Sequence, residues 1–166
     1  MSADITVLFD KNISLLAASL DDALQSTLEQ YEQLRKAGQK GELSHVYISF
    51  LPSSVLCKLP WLRIDLYDGN ISDDMVECYS DWDVANISDN SYRSIESRAK
   101  QNRMKDYEIE QTWLDSTDEY FKAFEDFLPK IIEQSKSAKA INCEWHFGQY
   151  LGSTVAVWER NVNEIF

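Results

Sequence analysis

The chain has 166 residues, of which 44% are hydrophobic and 12% aromatic, so it can bury a core without disulfide or metal staples. Its 28 acidic residues outnumber its 16 basic ones, and the net charge of -12 argues against nucleic-acid binding and against docking on an anionic membrane. With no repeat or linker to divide the chain, we expect one domain over residues 1–166 and no cofactor.

The N-terminus lacks the basic and apolar segments of a secretory signal. The three cysteines, Cys57, Cys78 and Cys143, are an odd set without close pairing. Such a set is typical of reduced thiols in the cytoplasm. We therefore expect a cytoplasmic protein whose cysteines are free thiols.

Apolar residues between positions 16 and 34 recur every three or four residues, which predicts one stripe of an amphipathic helix. Gly38 is the expected stop of this helix. The apolar run at residues 5–9 is either a strand or the lead-in to the helix. Residues 45–50, 61–67 and 76–84 then alternate between apolar and polar side chains, which predicts three strands.

A second helical region follows the third strand. The pattern predicts one helix from about residue 91 to 105 and another over residues 109–131. We expect a break near Asp115, with Ser116 or Thr117 capping the restart. Pro129 should kink or end the second helix because proline lacks the N–H group. Two further strand-like segments, at residues 141–147 and 154–158, close the chain around a turn at Gly152.

This order of elements predicts an α+β fold, with helices on one face of a mostly antiparallel sheet of about five strands. The aliphatic sides of the strands should face the helices. Residues expected to be buried there are Val46, Ile48, Leu62, Ile64, Leu66, Trp145 and Phe147.

The opposite, outer face of the sheet should combine tyrosines, carboxylates and both histidines. Tyrosine supplies rigid contact area and carboxylates pair with arginine, so this composition indicates a surface for a basic protein. The predicted partner-binding residues are Tyr47, Asp65, Tyr67, Glu77, Tyr79, Asp81, Asp83, Glu144 and His146. Two alternatives stay open: a solvated face with charge pairs such as Arg63 with Glu77, or general acid–base catalysis by histidine and carboxylate.

Glycine loops that bind phosphate and several common catalytic motifs do not occur in the sequence. Cys143 and His146 have the C-x-x-H spacing of a metal half-site. Residues three apart on a strand point to opposite faces, however, so we expect no metal site. The acid-rich stretch at residues 65–74 lacks the spacing of a calcium loop and is interpreted as a solvated turn.

Charge is segregated along the chain. Residues 65–90 carry eight acids and no Lys or Arg, whereas residues 93–105 carry five basic residues against Glu96. This basic segment either binds a phosphate or an acidic partner, or holds the flanking acidic segments within the fold. Because acids flank it on both sides, the internal role is favoured.

Three segments carry a resemblance to a group of known proteins: His45-Val-Tyr-Ile-Ser-Phe-Leu-Pro-Ser-Ser-Val-Leu, Leu62-Arg-Ile-Asp-Leu-Tyr-Asp and Trp82-Asp. They resemble small acidic bacterial proteins of uncharacterised type, some of which look like immunity partners of toxins. The resemblance implies a toxin as partner and assigns no role to any residue.

Two functions follow from these observations. The first is a non-enzymatic acidic binding protein that neutralises a basic toxin or another basic protein partner. The alternative is a small-molecule-binding protein or hydrolytic enzyme that uses His146 with Glu144, Asp65 or Asp83. A deep pocket lined by these groups would favour the enzyme, and a broad acidic face would favour the binding protein.

Overall fold

The computed structural model describes residues 3–51, 61–69, 74–84, 96–97 and 99–159. Predictions that concern Cys57, Asp73, Arg93 and Arg98 lie outside the described residues.

The first helix, α1, spans Ala3–Lys36. The apolar run at residues 5–9 is therefore the lead-in to the helix, and Gly38 follows its end with a φ of 71°, a left-handed conformation that glycine adopts readily. One side of α1 is buried against the sheet and the second long helix. The buried residues of α1 include Ile5, Phe9, Ile13, Leu16, Ala17, Leu20, Leu24 and Tyr31.

The five strands are β1 (His45–Phe50), β2 (Trp61–Tyr67), β3 (Tyr79–Asp83), β4 (Glu144–Gln149) and β5 (Thr154–Glu159). They form one sheet in the order β3-β2-β1-β4-β5. Pairing is antiparallel except between β1 and β4, which run parallel. The predicted α+β fold with a mostly antiparallel five-stranded sheet is confirmed.

The second long helix, α2, spans Asp106–Gln134 without interruption, so the predicted break near Asp115, with a cap at Ser116 or Thr117, is wrong. Thr117 donates its hydroxyl hydrogen bond back to the Trp113 carbonyl at 2.7 Å, which satisfies it inside the helix. Pro129 was predicted to kink or end this helix. It does not end the helix, because α2 continues past it to Gln134. Leu128 and Ile131 are buried on either side of the proline, and their packing outweighs the lost hydrogen bond.

The helix predicted over about 91–105 is described only at residues 96–97 and 99–102, which are helical. This helix ends at residue 102, before the predicted end at 105, because Arg103 has a left-handed backbone conformation with a φ of 50°. The next helix begins at Asp106. A short 3-10 helix, Ala138–Ala140, connects α2 to β4.

The core lies between the two long helices and the inner face of the sheet. All seven residues predicted to be buried there are buried, which confirms the predicted strand register. Phe9 of α1 meets Phe124 of α2 edge to face at 4.8 Å, and Phe124 also packs against Trp82 of β3. None of the described helices combines the length and apolar character that crossing a bilayer needs.

Two acids of the stretch at residues 65–74 are structural rather than simply solvated. Asp74 forms an ion pair with the buried Lys40, which also donates to the Leu66 carbonyl at 3.3 Å. Asp68 accepts a hydrogen bond from the Gly41 amide. The interpretation as a solvated turn is therefore wrong for these two residues, and also for Asp65, which is only 3% exposed.

Candidate functional site

Strand pairing arranges the outer face of the sheet in rows that cross the strands. One row places Tyr47 of β1 between His146 of β4 and Asp65 of β2, and continues to Tyr79 of β3. Because side chains of directly paired residues share one face, the predicted outer residues on the strands do lie together. The parallel pairing of β1 with β4 unites residues that are about a hundred positions apart in sequence.

Arg63 is the centre of the outer face on the β2–β3 side. Its Nε atom lies 2.9 Å from both carboxylate oxygens of Asp65, and its Nη2 atom lies 2.8 Å from Oδ1. The guanidinium carbon also lies 3.7 Å from the ring centroid of Tyr79 and 4.7 Å from that of Tyr150. Glu77 is a more distant partner at 3.7 Å. These contacts hold the guanidinium group of Arg63, and therefore its positive charge, against the outer face of the sheet.

Asp65 is only 3% exposed, although it lies on the outer face. Desolvation raises the pKa of its carboxyl above the usual value, and the hydrogen bonds from Arg63 only partly counter this effect. Burial and the neighbouring Asp65 charge also raise the pKa of Tyr67 to about 12. Tyr67 therefore stays neutral at physiological pH and lies edge-on to Tyr47 at 5.5 Å.

The β2–β3 edge of the outer face exposes aromatic rings among carboxylates. Trp61 of β2 is 41% exposed and Tyr79 of β3 is 44% exposed. Trp61 pairs directly with Asp83, and Asp81 pairs with Arg63. Both Asp81 and Asp83 are exposed, as is Glu77 just before the strand. We call Trp61, Glu77, Tyr79, Asp81 and Asp83 the acidic edge.

The β1–β4 region of the outer face carries a second cluster, formed by His45, Glu144 and His146. One donor atom from each residue lies within 4.8 Å of the others. The Tyr47 ring stacks on His146 at 4.3 Å with an interplanar angle of 7°. Desolvation lowers the pKa of His146 and the Glu144 charge only partly offsets it, so the imidazole is neutral near pH 7. We call these three residues the histidine cluster.

A small cavity of about 70 Å³ opens on the outer face between the strands and the turn at residues 150–152. Tyr47, Asp65, Tyr67 and Tyr150 are among the residues that line it. Gly148 allows this turn to fold close to the sheet, since a Cβ atom there would lie 2.2 Å from the Ser153 carbonyl oxygen. The cavity holds about two water molecules and is far below the 300–1,000 Å³ typical of a small-molecule site.

The predicted site residues separate into two groups. Glu77, Tyr79, Asp81 and Asp83 belong to the acidic edge, whereas Glu144 and His146 belong to the histidine cluster. Tyr47, Asp65 and Tyr67 lie between the two groups and line the small cavity. β3 and β4 are three strand spacings apart, and Asp83 lies four residues along β3 from Tyr79, which shares a row with His146, so about 20 Å separates Asp83 from His146.

The C-x-x-H pair behaves as strand alternation predicts. Cys143 packs against the core, whereas His146 lies on the outer face. Burial raises the pKa of Cys143 to about 12 and that of Cys78 to about 11, so both thiols are protonated and unreactive near neutral pH. Both are free cysteines, as predicted.

Sequence reasoning missed two contributors to the outer face, Trp61 and Tyr150, and the proximity of its two histidines. Trp61 is the first residue of β2, two positions before Arg63, so it points to the same face as the polar residues of the strand. This alternation could have assigned it to the acidic edge. His45 was placed on the outer face but not connected with His146, because the parallel pairing of β1 and β4 is not visible in the sequence. Tyr150 lies in a turn, and no periodic signal places its ring over Arg63.

Comparisons with protein-family models, with curated proteins and with solved structures find no match to this chain. The function therefore has to be argued from the geometry of the outer face.

Proposed function

We propose that this protein is a non-enzymatic binding protein whose acidic edge docks a basic protein partner. The observation that supports this proposal best is the exposure of two large aromatic side chains, Trp61 and Tyr79, among the carboxylates of Glu77, Asp81 and Asp83. Aromatic residues are enriched in the centres of protein interfaces, where they contribute most of the binding energy.

Charge complementarity selects the partner class. The chain carries a net charge of -12, so its field attracts a basic protein and accelerates their encounter. Arg63 does not oppose this, because Asp65 and two tyrosine rings hold its charge within the face. Some of the small acidic bacterial proteins that the chain resembles look like immunity partners of toxins, so a basic toxin encoded next to this protein is the first partner to test.

The geometry favours binding over hydrolysis. Asp65 is engaged by Arg63 and Asp83 is about 20 Å from His146, so neither carboxylate can orient that imidazole directly. The cavity on this face, at about 70 Å³, is too small for a substrate, and of these groups only Asp65 is among its lining residues. Of the carboxylates named in that alternative, Glu144 lies within reach of His146, at 3.5 Å.

The test is capture of the partner from the source organism, followed by binding kinetics with purified proteins. Asp83→Asn and Trp61→Ala should each weaken binding by about 2–5 kcal/mol, mainly through faster dissociation, because Asp83→Asn leaves a desolvated partner charge unpaired and Trp61→Ala removes the apolar contact of the indole ring. Glu77→Gln, at the rim, should mainly slow association, and added salt should mask its effect.

Asp118→Asn on α2 is the matched control, because it removes the same charge from an exposed position far from the acidic edge. Its binding should equal that of the parent protein within about twofold, since a single distant charge changes little at physiological salt. An acidic partner, or edge variants that bind like this control, would contradict the proposal.

A further inference from the structure

The donor atoms of the histidine cluster converge on one point of the outer face. They are one nitrogen of His45, one nitrogen of His146 and one carboxylate oxygen of Glu144, all within 4.8 Å of one another. Two imidazole nitrogens and one carboxylate are a donor set that zinc accepts, with the fourth position left for water or another ligand. We propose that His45, Glu144 and His146 form a zinc-binding site.

Both imidazole nitrogens of the cluster are buried and lack a hydrogen-bond partner among the described residues. His45 Nδ1 lies 3.7 Å from one Glu144 oxygen, and His146 Nε2 lies 3.5 Å from the other. These contacts are longer than a normal hydrogen bond. Buried polar atoms without a partner are rare in folded proteins and call for an unseen ligand or ion. One cation between the three side chains satisfies both nitrogens at once.

The spacing of the donor atoms suits a tetrahedral ion. Zinc binds nitrogen and oxygen ligands at about 2.0–2.2 Å, which places neighbouring ligand atoms about 3.3–3.6 Å apart around a tetrahedron. Each nitrogen lies close to this edge length from a different Glu144 oxygen, at 3.7 Å for His45 Nδ1 and 3.5 Å for His146 Nε2, so the carboxylate reaches both imidazoles. Magnesium and calcium prefer oxygen ligands, so the two nitrogen donors favour a transition-metal ion.

The charge around the cluster also favours a cation. Glu144 is the direct cross-strand partner of Glu159, and like charges in this arrangement repel each other. Glu159 also acts electrostatically on His146. A divalent ion beside Glu144 offsets this repulsion.

The fold holds the proposed ligands on rigid elements. His45 and Glu144 are direct partners in the parallel β1–β4 ladder, and His146 is the next outward residue on β4. The stacked Tyr47 ring limits rotation of the His146 imidazole. All three ligands retain partial exposure, with side chains 30%, 34% and 14% accessible for His45, Glu144 and His146, so an ion can reach the site from solvent. Ligands on paired strands are better fixed than ligands on loops.

The chain has only two histidines, which makes a direct test possible. The full-length protein, stripped of metal with a chelator and kept reduced, is titrated with zinc chloride while calorimetry records affinity and stoichiometry. In parallel, protein with ¹⁵N-labelled histidine is followed by NMR, so that both imidazole rings report binding directly. We expect one zinc ion per chain and a shift of both ring signals at the same equivalence point.

Variants assign the ligands. His45→Gln, Glu144→Gln and His146→Gln should each weaken zinc binding by at least about 10–100-fold, the effect already seen when an outer partner of a metal ligand is lost. Asp81→Asn is the control, since it neutralises an exposed carboxylate on the same face but outside the cluster. It should bind zinc like the parent.

Three results would overturn the proposal: zinc binding that leaves both histidine signals unmoved, cluster variants that bind as tightly as Asp81→Asn, or no binding at millimolar zinc. The NMR measurement uses the parent protein, so it remains decisive if a variant fails to fold. Neither the calorimetry nor the NMR measurement involves the basic partner. The outcome of both is therefore independent of the proposed binding function.

Discussion

The inner face of the sheet is apolar and covered by two helices, whereas the outer face is polar and carries no helix among the described residues. On the inner face Ile48, Ile64 and Trp145 are fully buried and touch mainly aliphatic and aromatic groups. On the outer face the contacts are directional: the Arg63–Asp65 ion pair, the Tyr47–His146 stack and the histidine cluster.

The two faces therefore contribute differently: the inner face supplies stability, and the outer face positions the groups that can bind. Burial of apolar area is non-directional and supplies most of the folding free energy. Ion pairs and stacked rings on a partly exposed face stabilise the fold much less, but they fix charges and donor atoms at defined positions. We therefore expect core substitutions to change stability most, and outer-face substitutions to change binding most.

The largest effect is expected in the centre of the inner face. Ile64→Ala should lower the free energy of unfolding by about 4 kcal/mol, because it leaves a cavity in a tightly packed core. Urea unfolding followed by circular dichroism measures the change. Val155→Ala on β5, where the side chain is 45% exposed, is the control and should change stability by about 0.5 kcal/mol or less. Equal losses in the two variants would break the comparison between covered and open surfaces.

Arg63→Met tests whether the outer face also contains a stabilising centre. The substitution leaves the Asp65 carboxylate buried without its counter-charge, which should cost about 3 kcal/mol at neutral pH, at the low end for a buried ion pair because Arg63 is partly exposed. The double variant Arg63→Met/Asp65→Leu should recover most of this loss, since it removes the unpaired charge. A double variant as unstable as the single one would contradict this account.

The pH dependence of Arg63→Met has a definite sign. Burial already raises the pKa of Asp65 in the folded protein above 3.8, and loss of Arg63 should raise it further. A raised carboxyl pKa favours folding below the unfolded pKa, and this contribution is lost as pH rises through the folded pKa. The stability difference between the variant and the parent should therefore shrink as pH falls toward 4, in denaturation series at several pH values.

The fold was predictable where hydrophobic periodicity is strong. Alternation in β1, β2 and β4 assigned every predicted inner residue correctly, because a period of two leaves only one way to bury Val46, Ile64 and Trp145 together. The two errors in α2 arose from local rules. Thr117 and Pro129 are unfavourable within a helix by propensity, but tertiary packing of the flanking apolar residues overrides that preference.

The candidate site was predictable only as a list of outward-facing residues. Sequence alternation placed Asp65 on the outer face but could not show that Arg63 covers it, since that contact depends on side-chain conformation and on the Tyr150 turn. It also could not join His45 with His146, because strand order is set by long-range pairing rather than by local pattern.

The smallest change in stability is expected at a polar contact between the two long helices. This contact shows that directional hydrogen bonds also occur on the helical side of the sheet. Asp21 of α1 accepts hydrogen bonds from the Ser135 hydroxyl at 2.7 Å and from the Ser137 amide at 2.7 Å, just beyond the end of α2. Partial desolvation opposes its ionisation, but these hydrogen bonds outweigh that effect and hold its pKa below 3.8.

Asp21→Asn should therefore destabilise the protein by about 1 kcal/mol at neutral pH, the size of a typical helix-cap interaction. A lowered carboxyl pKa contributes stability above the unfolded pKa, and this contribution is lost as pH falls through the folded pKa. The difference between Asp21→Asn and the parent should accordingly be constant from pH 7 to pH 5 and shrink as pH falls below 3.8 and through the lowered folded pKa of Asp21, in urea unfolding series. Asp22→Asn, the exposed neighbour, is the matched control and should show little effect at any pH. A deficit in Asp21→Asn that persists at low pH would mean that the carboxylate charge does not carry the contact between α1 and the end of α2.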